Sequence, residues 1–272
     1  MMMYHQFWGK MKQQKKGLSA ASLRRELKTK FIGRNILYYP VTSSTMDASK
    51  EAVKQGAKEG TIVIADQQTA GRGRFGRQWW APPDSSILLS IILYPKLEEL
   101  PRLSMAATLA VAQSIEKVTG LKPVIKWPND VLIEGKKVSG ILIESKVQDE
   151  TVSYAIVGIA VNVNLDPTSN PEISETATSL RQALKREVSR LEILPALLSE
   201  FEELYNALRR GEPIDELWHR RLETLGRDIT VTCGSEVWQG CAESVDDDGN
   251  LLLRRPDGSL LTIAAGDVTL RA

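Results

Sequence analysis

Residues 71–77 read GRGRFGR and residues 126–130 read KWPND. The first stretch sets Arg72, Arg74 and Arg77 among Gly71, Gly73 and Gly76. Arginine offers planar, permanently charged donors that fit phosphate or carboxylate oxygens in pairs. Glycine lets the backbone approach a ligand closely and rearrange around it. Trp79 and Trp80 come directly after and supply aromatic faces for stacking. In the second stretch Lys126 emerges from the apolar, strand-like PVI, and Pro128 fixes the turn behind it. Asn129 and Asp130 then suit binding a cation or capping backbone groups. An ammonium group anchored on a strand, beside guanidinium groups on a loop, is equipment for bringing two anions together at a phosphorus centre. Nucleotidyl transfer is chemistry of that kind.

Other readings of the glycines fail on context. Gly71, Gly73 and Gly76 match the G-x-G-x-x-G spacing of a dinucleotide fingerprint. That fingerprint needs a helix starting inside the motif, because the helix N-terminus holds the pyrophosphate. Here QWWAPPD follows, and Pro82 with Pro83 forbids the helix. The stretch is therefore a loop between two strands. A kinase glycine loop lacks its H-R-D and D-F-G companions. Taken singly, each stretch also has a plain reading, as a basic surface loop and as a turn with a surface lysine.

The remaining chemistry-bearing residues narrow the choice. There are two histidines, His5 and His219, so a Ser-His-Asp relay or a His/Cys metal cluster has almost nothing to draw on. His219, beside Trp218, reads as a surface or packing residue. Asp246, Asp247 and Asp248 lack the glycine spacing of a calcium loop and read as a solvated turn. No direct metal motif is present. Cys233 and Cys241 could face each other on a hairpin, but two cysteines in a large-core chain favour reduced thiols and a cytoplasmic setting. The chemistry must run on Arg, Lys and carboxylates.

Elements to position these groups follow from the pattern. Residues 18–30 predict a short helix capped by Ser19 or Ser22. NILYYPV predicts a strand. Ser44 with Asp47 three residues on, and Gly56 as a stop, predict a helix of about three turns. GTIVIADQ and SSILLSIILY are strands, the second apolar on both faces and so covered on both. Pro101 and Gly120 bound an Ala-rich helix. Residues 123–145 predict two or three strands with EGKK as a hairpin turn, and TVSYAIVGIAVNVN a further long one. A Pro/Ser/Thr-rich loop spans 166–178, and helices cover 178–186, 193–210 and 213–224. This mixture is α+β. DITVTCG, EVWQGCAESVD, NLLLRR and SLLTIAAG then form a small β-barrel or meander. The expected division is a basic tail and helix at 1–34, a main domain at 35–224 and a small β domain at 225–272.

The chain has 272 residues, 42% hydrophobic and 25% charged, as in an ordinary globular protein. Formal net charge is +1, so no overall field draws it to nucleic acid or acidic membranes. Residues 1–34 hold nine Lys or Arg and one acid, while the rest holds 26 basic and 33 acidic side chains. The start is basic but carries no apolar run of a signal peptide, and no stretch has membrane-spanning length.

STMDA, DQQTAGRGRFGRQW, KWPNDVLIEGKKVSGILIE and VGIAVNVN, in this order, resemble the biotin protein ligases. The likeness runs from about residue 23 to the C-terminus. It implies a class II aminoacyl-tRNA-synthetase-like catalytic domain and an SH3-like C-terminal domain. It implies ATP, Mg2+ and biotin as reactants, with a biotin carboxyl carrier domain as acceptor. By position, the resemblance assigns Ser44, Thr45, Met46 and Gln68 to the biotin site. Gly71, Arg72, Gly73 and Arg74 would belong to a loop ordering over biotin and its adenylate. Arg77 and Trp79 would complete that cover toward the adenine. Lys126 would touch the biotin carboxylate and the α-phosphate, so Lys126 and Arg74 carry the catalysis. Asn129, Asp130, Lys137 and Asn162 fall to ATP and the adenylate, and Gly140 and Gly158 to biotin.

Two departures stand out. Many members have Gly where Ala160 stands, and one methyl would tighten the pocket floor. Some bacterial members begin with a winged helix-turn-helix and act as repressors. Only some 20 residues precede the matching segment here, too few for three helices and a wing, so the expectation is a ligase without operator binding. Homodimers formed through sheet edges are common in the family. The alternatives are a lipoate-type ligase on the same scaffold, and a non-catalytic biotin-binding regulator.

Overall fold

A computed structural model describes residues 18–270. The basic stretch 1–17, including His5, lies outside the described residues. α1 (Ala20–Glu26) starts at Ser19, whose hydroxyl accepts from Ser22 N while the Ser22 hydroxyl accepts from Ser19 N. It is shorter than the expected 18–30. The amides of Lys30, Phe31 and Ile32 donate instead to the buried Glu202 carboxylate, at 2.5, 2.9 and 2.8 Å, and leave helical bonding.

A seven-stranded sheet follows. Its strands are β1 (Ile36–Thr42), β2 (Ile62–Gln68), β3 (Ser86–Leu93), β4 (Val124–Lys126), β5 (Asp130–Ile133), β6 (Lys136–Gln148) and β7 (Thr151–Asn162), in the order β1-β2-β3-β7-β6-β5-β4. Only β1 and β2 are parallel, joined through α2 (Thr45–Lys54). The architecture is the mixed α+β arrangement expected. Every residue of β3 is buried. Ile87, Leu89, Ile91 and Leu93 enter the main core with α3 (Leu103–Thr119) and α5 (Arg190–Arg209), while Ser90 donates to Thr45 Oγ1 of α2 at 2.8 Å. Two-sided cover explains a strand without polar alternation. Glu134 and Gly135, both in the left-handed region (φ 51 and 76), turn β5 into β6 as a two-residue hairpin demands.

The later helices depart from the expected bounds. α4 is Leu180–Leu184. α5 begins at Arg190 because Ser189 caps it by accepting from Leu191 N. α6 (Asp215–His219) stops well short of 224. Beyond it, Ile125 N donates to Arg221 O and Glu223 N to Ile125 O, so this chain runs beside β4 rather than coiling. His219 is exposed, as expected.

The C-terminal strands are β8 (Asp228–Cys233), β9 (Glu236–Val245), β10 (Leu251–Arg254), β11 (Leu260–Ile263) and β12 (Asp267–Leu270). They form an antiparallel ladder ordered β11-β10-β9-β8-β12. Of the expected barrel or meander, the described residues form the antiparallel sheet without a closed barrel, with β11 and β12 at its edges. The fifth strand, past Gly266, was not expected; it forms by pairing with β8. Cys233 lies opposite Glu236, and Cys241 opposite Asp228 and Arg254, so the two thiols do not face each other and both are free. Trp127, buried before a cis Pro128, donates Nε1 to Gly249 O at 2.8 Å and ties this sheet to the first. Among the described residues no helix is long and apolar enough to cross a membrane.

Candidate active site

A cavity of about 580 Å³ opens over the sheet, bounded by α2, the loop after β2, the β4–β7 strands and the start of β12. That is a volume suited to a small-molecule ligand. Its α2 side begins at Ser44, which caps the helix by accepting from Met46 N at 3.2 Å. Gln68 Oε1 accepts from Thr45 N (2.7 Å) and Thr45 Oγ1 (3.0 Å), fixing the amide at the end of β2. Ser44, Thr45, Met46 and Gln68 all line the cavity. Asp47 does not complete the cap as the Ser44–Asp47 spacing implies. Its carboxylate takes both Arg72 terminal nitrogens, at 2.6 and 2.8 Å.

The arginine loop is a tight hairpin. Trp79 N donates to Gly71 O at 2.9 Å, and Gly73 N to Arg77 O at 2.8 Å. Phe75 and Gly76 form its tip with positive φ (56 and 73). Arg72, Gly73, Arg74, Arg77 and Trp79 reach the cavity. Gly71 does not: it is buried behind the wall, where a Cβ would lie 2.7 Å from Trp79 O. Its requirement for glycine is packing within the hairpin rather than ligand approach.

Lys126, Asn129, Asp130, Lys137, Gly140, Gly158, Ala160 and Asn162 complete the expected set on the cavity wall. Gly140 leaves room for neighbours, since a Cβ there would come within 2.9 Å of Lys137 Cε and Trp79 Cζ3. Asn129 is already committed. It accepts from Arg74 Nη1 (3.0 Å) and donates to Ile141 O (2.7 Å). Asp130 Oδ1 lies 2.6 Å from Lys137 Nζ, and that ammonium sits 5.4 Å from the centre of a Trp79 ring.

The electrostatics separate the cations into two sorts. Arg72 is neutralised by Asp47 and Glu144, and the hydrogen bonds it donates to Asp47 hold its guanidinium above the ordinary arginine range. Reciprocally, Arg72 holds the Asp47 carboxyl below its usual value. Arg77 pairs with Asp267. Arg74 donates to Asn129 and to Gly266 O (3.2 Å), and burial lowers its pKa. The Lys126 ammonium has no hydrogen bond or ion pair among the described residues. Two further wall atoms are buried without a partner: Trp79 Nε1, a donor, and Asn162 Oδ1, an acceptor. Buried polar atoms are rarely left so, and a ligand edge would satisfy both.

Several wall residues escaped the sequence reading. Ile173, Glu175, Thr176 and Ala177 come from the 166–178 loop, held by Lys137 N to Thr176 O (2.8 Å) and Thr178 N to Lys137 O (2.9 Å). Its length and lack of regular structure were the only signal. Asp267, Val268 and Thr269 come from β12. Asp47 and Glu144 lie within the STMDA and KWPNDVLIEGKKVSGILIE stretches, but nothing in the sequence marks them as the partners of Arg72.

The sequence profile of the Biotin/lipoate A/B protein ligase family matches residues 38–162, and that of the Biotin protein ligase C terminal domain matches residues 224–271. Over 258 residues the chain is 38% identical to the "Bifunctional ligase/repressor BirA" of Bacillus subtilis, covering 93% of this chain and 79% of that relative. It is 32% identical to the "Biotin--[acetyl-CoA-carboxylase] ligase" of Mycobacterium tuberculosis, over 83% of this chain and 85% of that one. Among solved structures, the biotin protein ligase of Aquifex aeolicus in complex with biotin and ATP superposes with a TM-score of 0.75 at 28% identity, over 88% of this chain and 99% of that chain.

Proposed function

The chain belongs to the biotin protein ligase family, and on that premise we propose that it activates biotin with ATP and passes the biotinyl group to a lysine of a biotin carboxyl carrier domain. The observation that carries this reading is the ammonium of Lys126, without a partner among the described residues, on the same cavity wall as Arg72, Arg74 and Arg77.

In the first step a biotin carboxylate oxygen attacks the α-phosphorus of ATP. A bond forms between that oxygen and the α-phosphorus, the bond from the α-phosphorus to the α,β-bridging oxygen breaks, and pyrophosphate leaves with its electron pair. Two anions must meet, so the barrier is positional and electrostatic, and no histidine is needed. Lys126, on the cavity wall, is the group we assign to neutralise that approach. Arg74 and Arg77 stabilise the charge that builds on the phosphate oxygens. In the second step a carrier lysine attacks the acyl carbon and AMP leaves. The loop excludes water from the mixed anhydride in the interval.

We assign the two reactants to different parts of the wall. Met46, Gly158 and Leu142 make an apolar end, where Gln68 offers its amide nitrogen to a ring carbonyl. Trp79 Nε1 and Asn162 Oδ1 offer one donor and one acceptor to a purine edge. Mg2+ belongs to the nucleotide substrate. Among the described residues no three His, Cys, Asp or Glu gather to hold a resident metal, and Asp130 is engaged by Lys137. The test is to incubate the chain with ATP, biotin and a carrier domain. Biotin-dependent AMP release with biotin appearing on one carrier lysine supports the reading. AMP release with lipoate alone, or none with either acid, rejects it.

A further inference from the structure

The ligand loop is held at both feet by one side chain from a distant helix. Asp66, on β2, stands before the loop, and Asp84 directly after it. Arg190, the first residue of α5, is only 8% exposed. Its Nη1 donates to Asp66 Oδ1 at 2.8 Å, and its Nη2 donates to Asp84 Oδ1 at 2.5 Å. Nη1 also reaches Ser86 O, at 3.5 Å. The second Asp66 oxygen accepts from Tyr38 OH, which fixes the carboxylate plane. The feet touch directly as well, with Asp84 N donating to Asp66 O at 3.2 Å. Asp84 holds φ at 61°, a region that disfavours side-chain-bearing residues.

Nothing in this cluster lines the cavity, so the adenylation chemistry does not explain it. A buried guanidinium is costly to desolvate and persists where its geometry is used. Here the planar fork spans two carboxylates on opposite feet of one loop, a geometry that lysine cannot copy. Between those feet lie Arg72, Arg74, Arg77 and Trp79. Fixing the feet reduces the freedom that the tip must lose when it closes on a ligand.

We propose that Arg190 is a positioning residue for the ligand loop, acting through Asp66 and Asp84 to hold its feet at the spacing that aims the tip into the anion pocket. The clamp rests on the ligase reading only for the identity of the anions.

Limited trypsin digestion tests it without turnover, because the loop itself carries cleavable bonds after Arg72, Arg74 and Arg77. The variants are Asp84→Asn, which leaves Arg190 paired with Asp66, and Arg190→Lys, which keeps the charge and loses the fork. Both should be cleaved in the loop faster than the wild type at unchanged overall melting temperature. Arg190→Lys should also raise KM for biotin and ATP about tenfold or more while kcat falls less. Unchanged loop cleavage and KM in Asp84→Asn and Arg190→Lys, or a fall in melting temperature alone, would overturn the proposal. Should Arg190→Lys fail to fold, the cleavage rate of Asp84→Asn decides by itself. A wild type that releases no AMP with biotin would sink the ligase reading and leave the proteolysis result standing.

Discussion

Lys126 and Asp130 face each other across the β4–β5 ladder without forming an ion pair. Opposite charges at directly paired positions ordinarily engage. Here the Asp130 carboxylate turns to Lys137, 2.6 Å away, and Lys126 is left to whatever anion enters the cavity. The loop arginines are differently placed: Arg72 and Arg77 carry protein acids as partners, and Arg74 carries neutral oxygens. A fixed, unpaired charge and a set of exchangeable ones divide the work between holding anions and closing over them.

Arg74→Gly removes the two hydrogen bonds that tether the loop to Asn129 and Gly266. Charge-assisted hydrogen bonds of this kind are worth about 1.5–3 kcal/mol, so adenylate should leave about ten- to a hundredfold faster. Leaked adenylate would label lysines of a bystander protein added to the assay. Labelling that stays confined to the carrier domain would contradict the closing role of the loop.

Gly158→Ala places a methyl group 2.7 Å from Met46 Sδ and 3.2 Å from Leu142 O. Met46 cannot retreat freely toward β3, because its sulfur already lies 3.3 Å from Ser90 Oγ. The side chain must move into the apolar end of the cavity. Overpacking of that kind costs about 1–3 kcal/mol, so biotin affinity should fall about five- to 150-fold while ATP binding changes less. Calorimetric titration with each ligand measures both, and unchanged biotin affinity would place the biotin ring elsewhere.

The Asp47–Arg72 pair gives a pH dependence of known sign. Arg72 depresses the folded-state pKa of Asp47 below its ordinary value. The pair therefore stabilises the fold above the ordinary aspartate range and is lost as pH falls through the depressed value. The stability gap between wild type and Asp47→Asn should be present at neutral pH and shrink below about pH 4. Urea unfolding of both proteins across that range checks it. A gap that stays constant into strong acid would show that Asp47 contributes by packing alone.

The two anion-handling stretches were legible because their chemistry is local: GRGRFGR and KWPND each carry side chains and backbone devices within a few residues. The loop after β2 was legible as a loop because Pro82 and Pro83 exclude a helix. The wall residues Ile173, Glu175, Thr176 and Ala177, and Asp267–Thr269, were not. They arrive through Thr176 bonding Lys137 and through β12 pairing with β8, contacts that no local pattern encodes. Asp47 misled because position three of a helix suits capping as well as any cationic neighbour, and only the placement of Arg72 decides. The end of α6 was overrun because its successor is diverted by a bridge to Ile125, nearly a hundred positions earlier.

The central claim is that Lys126 and the arginine loop join biotin to ATP on one cavity wall. Biotin-dependent exchange of labelled pyrophosphate into ATP measures that first step apart from transfer. Wild type should exchange label only when biotin is present, and Lys126→Ala should do so about 10²–10³-fold more slowly, the scale for losing one preorganised charge donor. Near-wild-type exchange by Lys126→Ala, in a protein that melts as the wild type does, would contradict the account.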